Sequence, residues 1–582
     1  MANEYEVIWP QSRSVGNAIE GVRTLDSLGG KRIAFIWDDM FRGADMFQAF
    51  EREAAARGQS FTTIPWETFG DIHGHANEHE VIKQLPRLLA EHRVDAAVVG
   101  VGACGSCPPA VMRAIGAVEA AGVPALALVA SGFMRQARAI GRSLGVDHVW
   151  IAEYPGVIPS DSDETFDEKM RDAVVPSLFA GFERLAAGVD TATGSVSAEP
   201  GPLDIVARGT IEELHDVFEA NLWSDGLPFI PPTVEAVREF LCFTDRDPDE
   251  VLGLILPSRR EATIWSVAVN GVMAGCRPEH LPILIGIVEI LCDPAWRLED
   301  AGCTPGWEPL VTLSGPLVQG LGFNAGAGLM RVGNRANTSI GRFTRLYMRN
   351  VAGLLTEPGE TDKAAIGRTF NVAIAESDVG TPTAWSPERV DAGFAVEDTV
   401  VSMQSCVTIS GPAYTGGTPQ DQLDVLVRFA EETIGGWGFT HILYHASATL
   451  LMMSPSVAAS FADAGYSKRD IQQYLADHVR LDAGYLERFG TMTRGEHLSF
   501  KEHVDAGRLP EHFAASDDPN RMLPLIADAS EVRIVVAGDP GRNQNRFYVN
   551  NHAQALAQYR KVEVNRALAD RLADRAEVAA PA

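Results

Sequence analysis

Cysteine is sparse, with seven residues in a chain of 582, an odd number. That count excludes a disulfide-stapled exported scaffold and matches a reducing compartment. Basic charge is the second shortage: 49 Lys and Arg stand against 77 Asp and Glu, a formal net charge of −28. Such a field repels phosphate backbones and anionic lipid, and no local basic cluster offsets it, so no nucleic acid and no membrane is expected as a partner. Long apolar runs are missing too. The longest, residues 281–291, contains Glu289 and is about half of the roughly 20 residues that span a bilayer. The start, Met1-Ala2-Asn3-Glu4-Tyr5-Glu6, has no basic region ahead of an apolar stretch, so no secretory signal is read and cytoplasmic residence is expected. What remains, 46% apolar and 22% charged residues, is a globular composition long enough for two or three domains.

Between residues 30 and 186, short apolar runs (32–37, 60–65, 96–101, 125–130, 149–152) alternate with helical segments (44–57, 80–92, 110–121, 134–143). Strands alternating with helices imply crossover units and a parallel sheet covered on both faces. We read residues 1–186 as an open, flavodoxin-like α/β domain. Residues 187–202 turn to Gly, Ala, Ser, Thr and Pro and read as a linker. A larger second α/β domain is expected over 203–550, in which strands at 264–270, 310–313, 407–409 and 450–453 run into Gly- or Pro-containing turns followed by helices. Residues 551–582 read as a helical tail that packs on a neighbouring chain or frays, and a homo-oligomer is expected.

The strongest local signal is Val98-Val-Gly-Val-Gly-Ala-Cys104-Gly105-Ser106-Cys107-Pro108-Pro109. A buried strand stops at small residues and a Cys-x-x-Cys straddles the turn into a helix, where proline in the first turn costs no hydrogen bond. A thiol at a helix start faces unpaired amide donors and the positive end of the helix dipole, which favour the nucleophilic thiolate. Cys104 leads as the attacking sulfur, and Cys107, about one turn on, is placed to resolve a mixed disulfide. Gly105 allows close approach of a ligand, and Ser106 is placed to cap the helix or donate a hydrogen bond. Two other readings stay open: a zinc or iron half-site completed by His73, His75 or His79, and a structural pair of buried thiols. The three histidines otherwise read as surface residues. Cys242, Cys276, Cys292, Cys303 and Cys406 read as buried small hydrophobes.

Cys104-Gly-Ser-Cys107 at a strand end, followed by a helix and Glu119-Ala-Ala-Gly-Val-Pro-Ala-Leu-Ala-Leu-Val, resembles the UGSC group of (seleno)proteins, whose first motif position is selenocysteine in some members. That group is similar to the selenoprotein B component of the glycine, sarcosine, betaine and proline reductases. The resemblance implies that Cys104 attacks and that Cys107 is its partner thiol. Cys in the first position and Pro-Pro after Cys107 depart from the reductase pattern, which narrows the implied chemistry to a sulfur nucleophile acting on an activated small molecule. The resemblance covers the first domain, and Asn334-Arg-Ala-Asn337-Thr-Ser339-Ile-Gly341-Arg342 with the Ser-Gly-Pro turns resembles the long C-terminal part of UGSC-type fusions.

Ligands of open α/β sheets bind at the carboxyl ends of the strands. That rule selects Asp38 and Asp39, Ser131 and Arg135, and Glu153. Arg135 suits a carboxylate, and Asp38 or Glu153 suits proton movement; the alternative is that the aspartates cap a helix and Arg135 is solvated. In the second domain the Gly-dense stretch 315–328 is read either as an anion cradle, with Asn324, Asn334, Arg335, Asn337 and Arg342 around it, or as a close backbone crossing. Glu376, at a strand end, is a substrate-side acid/base candidate, and His445, in an apolar run, reads as a core residue. The expectation is a thiol-dependent enzyme, an oxidoreductase or lyase, in which Cys104 attacks an activated carbon of a small anionic metabolite, with no cofactor and a thiol reductant as partner. Alternatives are a metal-dependent lyase or hydratase using the Cys-x-x-Cys and a His, with zinc or iron, and a non-catalytic thiol sensor or binding protein.

Overall fold

The computed structural model describes residues 3–16, 25, 27–73, 78–187, 199–301, 303–357, 360–445, 447–554 and 556–579. His75 and most of the expected linker lie outside the described residues.

Five parallel strands form the N-terminal sheet in the order Thr62–Ile64, Arg32–Trp37, Ala96–Gly102, Ala125–Ala130, Trp150–Tyr154. Side chains alternate across a strand, and Arg32–Trp37 uses both faces. Ile33, Phe35 and Trp37 join Phe47 and Phe50 of helix Gly43–Ala56 and Phe179 and Phe182 of helix Val175–Ala187. Ala34 and Ile36 join Leu85 and Leu89 of helix Glu78–Glu91 and Val111 and Ile115 of helix Cys107–Ala120. Two-sided burial explains why the middle strand, Ala96–Gly102, is buried along its whole length and reads as an unbroken apolar run.

The rest of the chain is mixed. One sheet runs Ile374–Ala375, Glu308–Ser314, Val400–Cys406, Gln558–Lys561; another runs Thr408–Ile409, Gln544–Val549, Thr449–Met453, Val532–Val536. Most of these pairings are antiparallel, with Thr449–Met453 parallel to Val532–Val536. Strand Tyr5–Ile8, near the start of the chain, pairs with Ile205–Gly209, and Val7 and Ile8 enter the core around helices Ile264–Met273 and Leu281–Leu291.

Several expectations are corrected. Residues 264–270 are helical, not a strand: Thr263 and Ser266 form a capping box, and the helix is buried on every side, its polar Ser266 and Asn270 satisfied by hydrogen bonds. The Ser410-Gly-Pro turn leads into strand Ala413–Tyr414 instead of a helix. The tail is not helical throughout, since Gln558–Lys561 extends a sheet before helix Arg566–Ala579 begins. Cys242 is exposed and Cys292 half-buried, while Cys276, Cys303 and Cys406 are buried as expected. His445 is exposed in a left-handed turn after helix Gly438–Tyr444, so it is not a core residue.

A buried ionic cluster joins the N-terminal sheet's helices to the following part of the chain. Arg113 grips Glu78 through two bonds of 2.6 and 2.8 Å and reaches Glu299 at 3.1 Å; Arg297 bonds Glu78 and, at 2.8 Å, Asp300. Burial favours the neutral acid at Glu78, but the two guanidiniums hold its pKa down at about 2. Among the described residues no helix is long and apolar enough to cross a membrane.

Candidate functional site

Strand Ala96–Gly102 ends one turn before helix Cys107–Ala120, whose first turn holds Pro108 and Pro109. The connecting loop is anchored by Gln136, which donates to the Gly105 carbonyl at 2.7 Å. Cys104 and Cys107 are joined as a disulfide with Cα atoms 5.2 Å apart. The Cys107 backbone N–H donates to Cys104 Sγ at 3.2 Å, and Ser106 Oγ lies 3.4 Å from the same sulfur. Ser106 makes no side-chain cap, so its contact is with Cys104 instead of the helix end. Cys107 is fully buried and Cys104 is half-buried.

Gly105 has a different use from the one expected. A Cβ there would stand 2.0 Å from Cys303 Cα and 2.4 Å from Thr304 N, so what approaches closely is the backbone of a remote segment. That segment helps to close a cavity of about 70 Å³ against Cys104. Its walls include Met40, Phe41, Cys303, Trp437 and Phe439, with His73, Tyr444 and His552 at one side. Met40 and Phe41 follow strand Arg32–Trp37, and Cys104 follows Ala96–Gly102. Between these neighbours the strand order reverses direction, the position where open α/β sheets bind ligands.

His73 is corrected from surface to interior, at 2% exposure. Ile72, also buried, holds the segment by donating its N–H to the Trp37 carbonyl, and Asp71 accepts from the His73 N–H at 2.7 Å. The imidazole stacks on Tyr444 and on His552, with centroids 5.3 and 5.2 Å away. Its Nε2 lies 3.1 Å from His552 Nε2 and its Nδ1 3.9 Å from Cys107 Sγ. The ligand atoms of His73, Cys104 and Cys107 fall within 4.8 Å of one another, a spacing a metal ion accepts once the sulfurs are reduced. His79 is exposed.

Asp38 sits at the same end of the sheet, completely buried. One oxygen accepts from Val101 N–H at 2.8 Å, and Oδ2 has no partner among the described residues. Burial above all, then Asp71 and Asp39, pushes its pKa well above the ordinary carboxylate range. Asp39, Phe41 and Arg42 are non-glycine residues in left-handed conformations, each costing about 1–3 kcal/mol. The loop is held from across the molecule: Phe41 N–H donates to the Arg494 carbonyl, and Arg494 Nη2 reaches Asp39 Oδ2 at 3.2 Å.

The other residues singled out from the sequence stand apart from this cavity. Ser131 ties down the neighbouring strand end, donating to Tyr154 O and accepting from Gly156 N–H; Glu153 is exposed; Arg135 is exposed and paired with Glu360. Asn334 caps helix Arg335–Asn350, and Asn337 is buried, bonding the carbonyls of Asn324 and Ala373. Arg335 donates to Gly275 O, and Arg342 is held bidentately by Asp225 at 2.8 Å. Asn324 bonds back to Ala327 and Gly326. Glu376 is buried between Ser314 Oγ–H and Glu388 N–H, and burial with the nearby Glu388 pushes its pKa up to about 7. Tyr444, His552, Met40, Phe41 and Cys303 were not visible as site residues, because nothing within a few positions of any of them marks its distant partners.

No curated protein sequence matches the chain. Residues 6–182 match the sequence model of the UGSC family, and the matched segment contributes Asp38, His73, Cys104, Ser106 and Cys107 to the site.

Proposed function

We propose that the chain is a dithiol-dependent enzyme of reducing compartments such as the cytoplasm, in which Cys104 attacks an activated carbon of a small molecule at the switch point of a flavodoxin-like sheet. The observation that carries this reading is the placement of Cys104 against a small apolar cavity, with a buried thiol partner and an imidazole pair beside it. Reduced Cys104 would be stabilised as thiolate by the Cys107 N–H and the Ser106 hydroxyl.

The reaction balances as follows. Cys104 S⁻ displaces X⁻ from R–X, where the carbon lies beside a carbonyl, to give a thioether. Cys107, its proton taken by the His73–His552 pair, attacks the Cys104 sulfur; R leaves as the carbonyl-stabilised carbanion and recovers that proton as R–H. Two thiols supply two electrons and end as the Cys104–Cys107 disulfide, which an external dithiol reduces. At about 70 Å³ the cavity suits a substrate of a few heavy atoms, far below the roughly 300–1,000 Å³ of sites for larger ligands. An anionic head fits only if it points out of this apolar space.

The test is alkylation of the reduced protein at pH 6–7 with site mapping, followed by intact-mass analysis after exposure to a metabolite pool. Cys104 is expected to react at least about tenfold faster than the five cysteines outside the motif, four of which are pushed to about 12 by burial, and to carry an adduct absent from Cys104→Ala. Uniform slow labelling overturns the reading. One observation favours a second: the clustered ligand atoms of His73, Cys104 and Cys107. Stoichiometric zinc or iron in reduced protein prepared without chelator, lost in Cys107→Ser, would make this a metal-dependent lyase or hydratase.

A further inference from the structure

We infer a second small-molecule site, in the groove where strands Thr449–Met453 and Val532–Val536 end side by side, that binds an organic anion with a flat apolar body. The groove measures about 620 Å³, within the roughly 300–1,000 Å³ of ligand sites. Its floor is the small core formed by Leu329, Tyr548 and Ala537, flanked by Phe370 and Met452. Arg546 and Tyr548 lie two residues apart on strand Gln544–Val549 and so share a face, opposite Met452 and Leu450 of the neighbouring strand. A flat apolar group has aromatic and thioether surface to rest on there.

The charge at the rim runs against the rest of the molecule. In a chain with net charge −28, three guanidiniums, Arg331, Arg542 and Arg546, line one concavity. Elsewhere the well-buried arginines are matched with acids: Arg113 with Glu78, Arg297 with Asp300, Arg389 with Asp378. Among the described residues these three have no carboxylate within ion-pair distance; Arg546 and Arg542 donate only to the carbonyls of Ser410 and Gly541. The carboxylate of Asp539, which also lines the groove, is turned onto its own loop, accepting from Gly541 N–H at 2.8 Å.

Two further features belong to the same place. Helix Pro455–Asp463 opens at Ser454, which lines the groove, so the positive end of the helix dipole lies beside it. Glycines 326, 328 and 538 line the same space. The Gly-dense stretch read from the sequence and the turn at Gly538 therefore meet here and not at Cys104. The head group is a phosphate or a carboxylate, so the site takes either a nucleoside phosphate or an aromatic carboxylate.

The probe is 8-anilinonaphthalene-1-sulfonate, a flat apolar body with one anionic head, titrated by fluorescence into the full chain. Saturable one-to-one binding is expected, weakened at least about tenfold in Arg331→Ala/Arg542→Ala, as for loss of hydrogen bonds to charged groups. Those arginines are exposed, so folding is retained; Arg546→Ala, checked by circular dichroism, should behave likewise. Cys104→Ala should bind normally. Displacement by ADP but not 1-naphthoate assigns a nucleoside phosphate, and the reverse an aromatic carboxylate. Unsaturable binding, binding indifferent to all three arginines, loss in Cys104→Ala, or displacement by neither competitor overturns the assignment.

Discussion

Asp38 shows how a single residue at the site couples to solution conditions. Its carboxyl is buried, has one oxygen without a partner among the described residues, and is held well above the ordinary pKa by burial and then by Asp71 and Asp39. The folded state therefore keeps a proton that the unfolded chain releases above about pH 4. Stability falls as pH rises from there through the folded pKa, and is unaffected below that window. Asp38→Asn keeps the acceptor for Val101 N–H but cannot ionise. Its urea midpoint is expected to equal the wild type's at about pH 3 and to exceed it at about pH 8; a lower midpoint at both would contradict the account. At this scale the motif itself spelled out Cys104 and Cys107, since helix-start chemistry acts within one turn. His73 was misread because its polar neighbours in sequence say nothing of Tyr444 and His552, which stack on it from more than 350 residues away.

At the scale of elements, the joint between the thiol loop and the remainder of the chain depends on two features. A Cβ on Gly105 would overlap the backbone at Cys303 and Thr304, which has no flexible end to yield. Gly105→Ala is expected to cost about 1–3 kcal/mol, read as a lowered denaturation midpoint, and to speed alkylation of reduced Cys104 as the cavity opens. The buried cluster of Glu78, Arg113, Arg297, Glu299 and Asp300 is the second. Arg297→Met leaves Glu78 and Asp300 under-compensated in the interior, a loss of about 3–5 kcal/mol. Adding Glu78→Gln should recover part of it in a double-mutant cycle, because the pair is coupled. Element type was legible where the period was clean, as in the strands 32–37 and 125–130. It failed at 264–270, where a β-branched run hid a helix whose identity came from the Thr263–Ser266 cap and burial on every side.

On the scale of the whole molecule, the site is an assembly of remote parts: the strand ends near residues 40 and 104, the segment at 303, the helix ending at Tyr444, and a turn at His552. His552→Asn is expected to leave the thermal midpoint nearly unchanged. It should slow reduction of the Cys104–Cys107 disulfide by dithiothreitol by about tenfold or more, because His73 loses the imidazole that lies 3.1 Å from its Nε2; an unchanged rate would remove the histidine pair from the mechanism. Acidity, the absence of a long apolar helix, the two-sided parallel sheet and a sulfur poised at a helix start follow from the sequence alone, since composition and local periodicity act over a few residues. Which groups surround that sulfur, where the glycine-rich turns gather and why Gly105 must lack a side chain were decided only by tertiary packing. Those contacts join segments hundreds of residues apart, and no local pattern in the chain encodes the pairing of one distant surface with another.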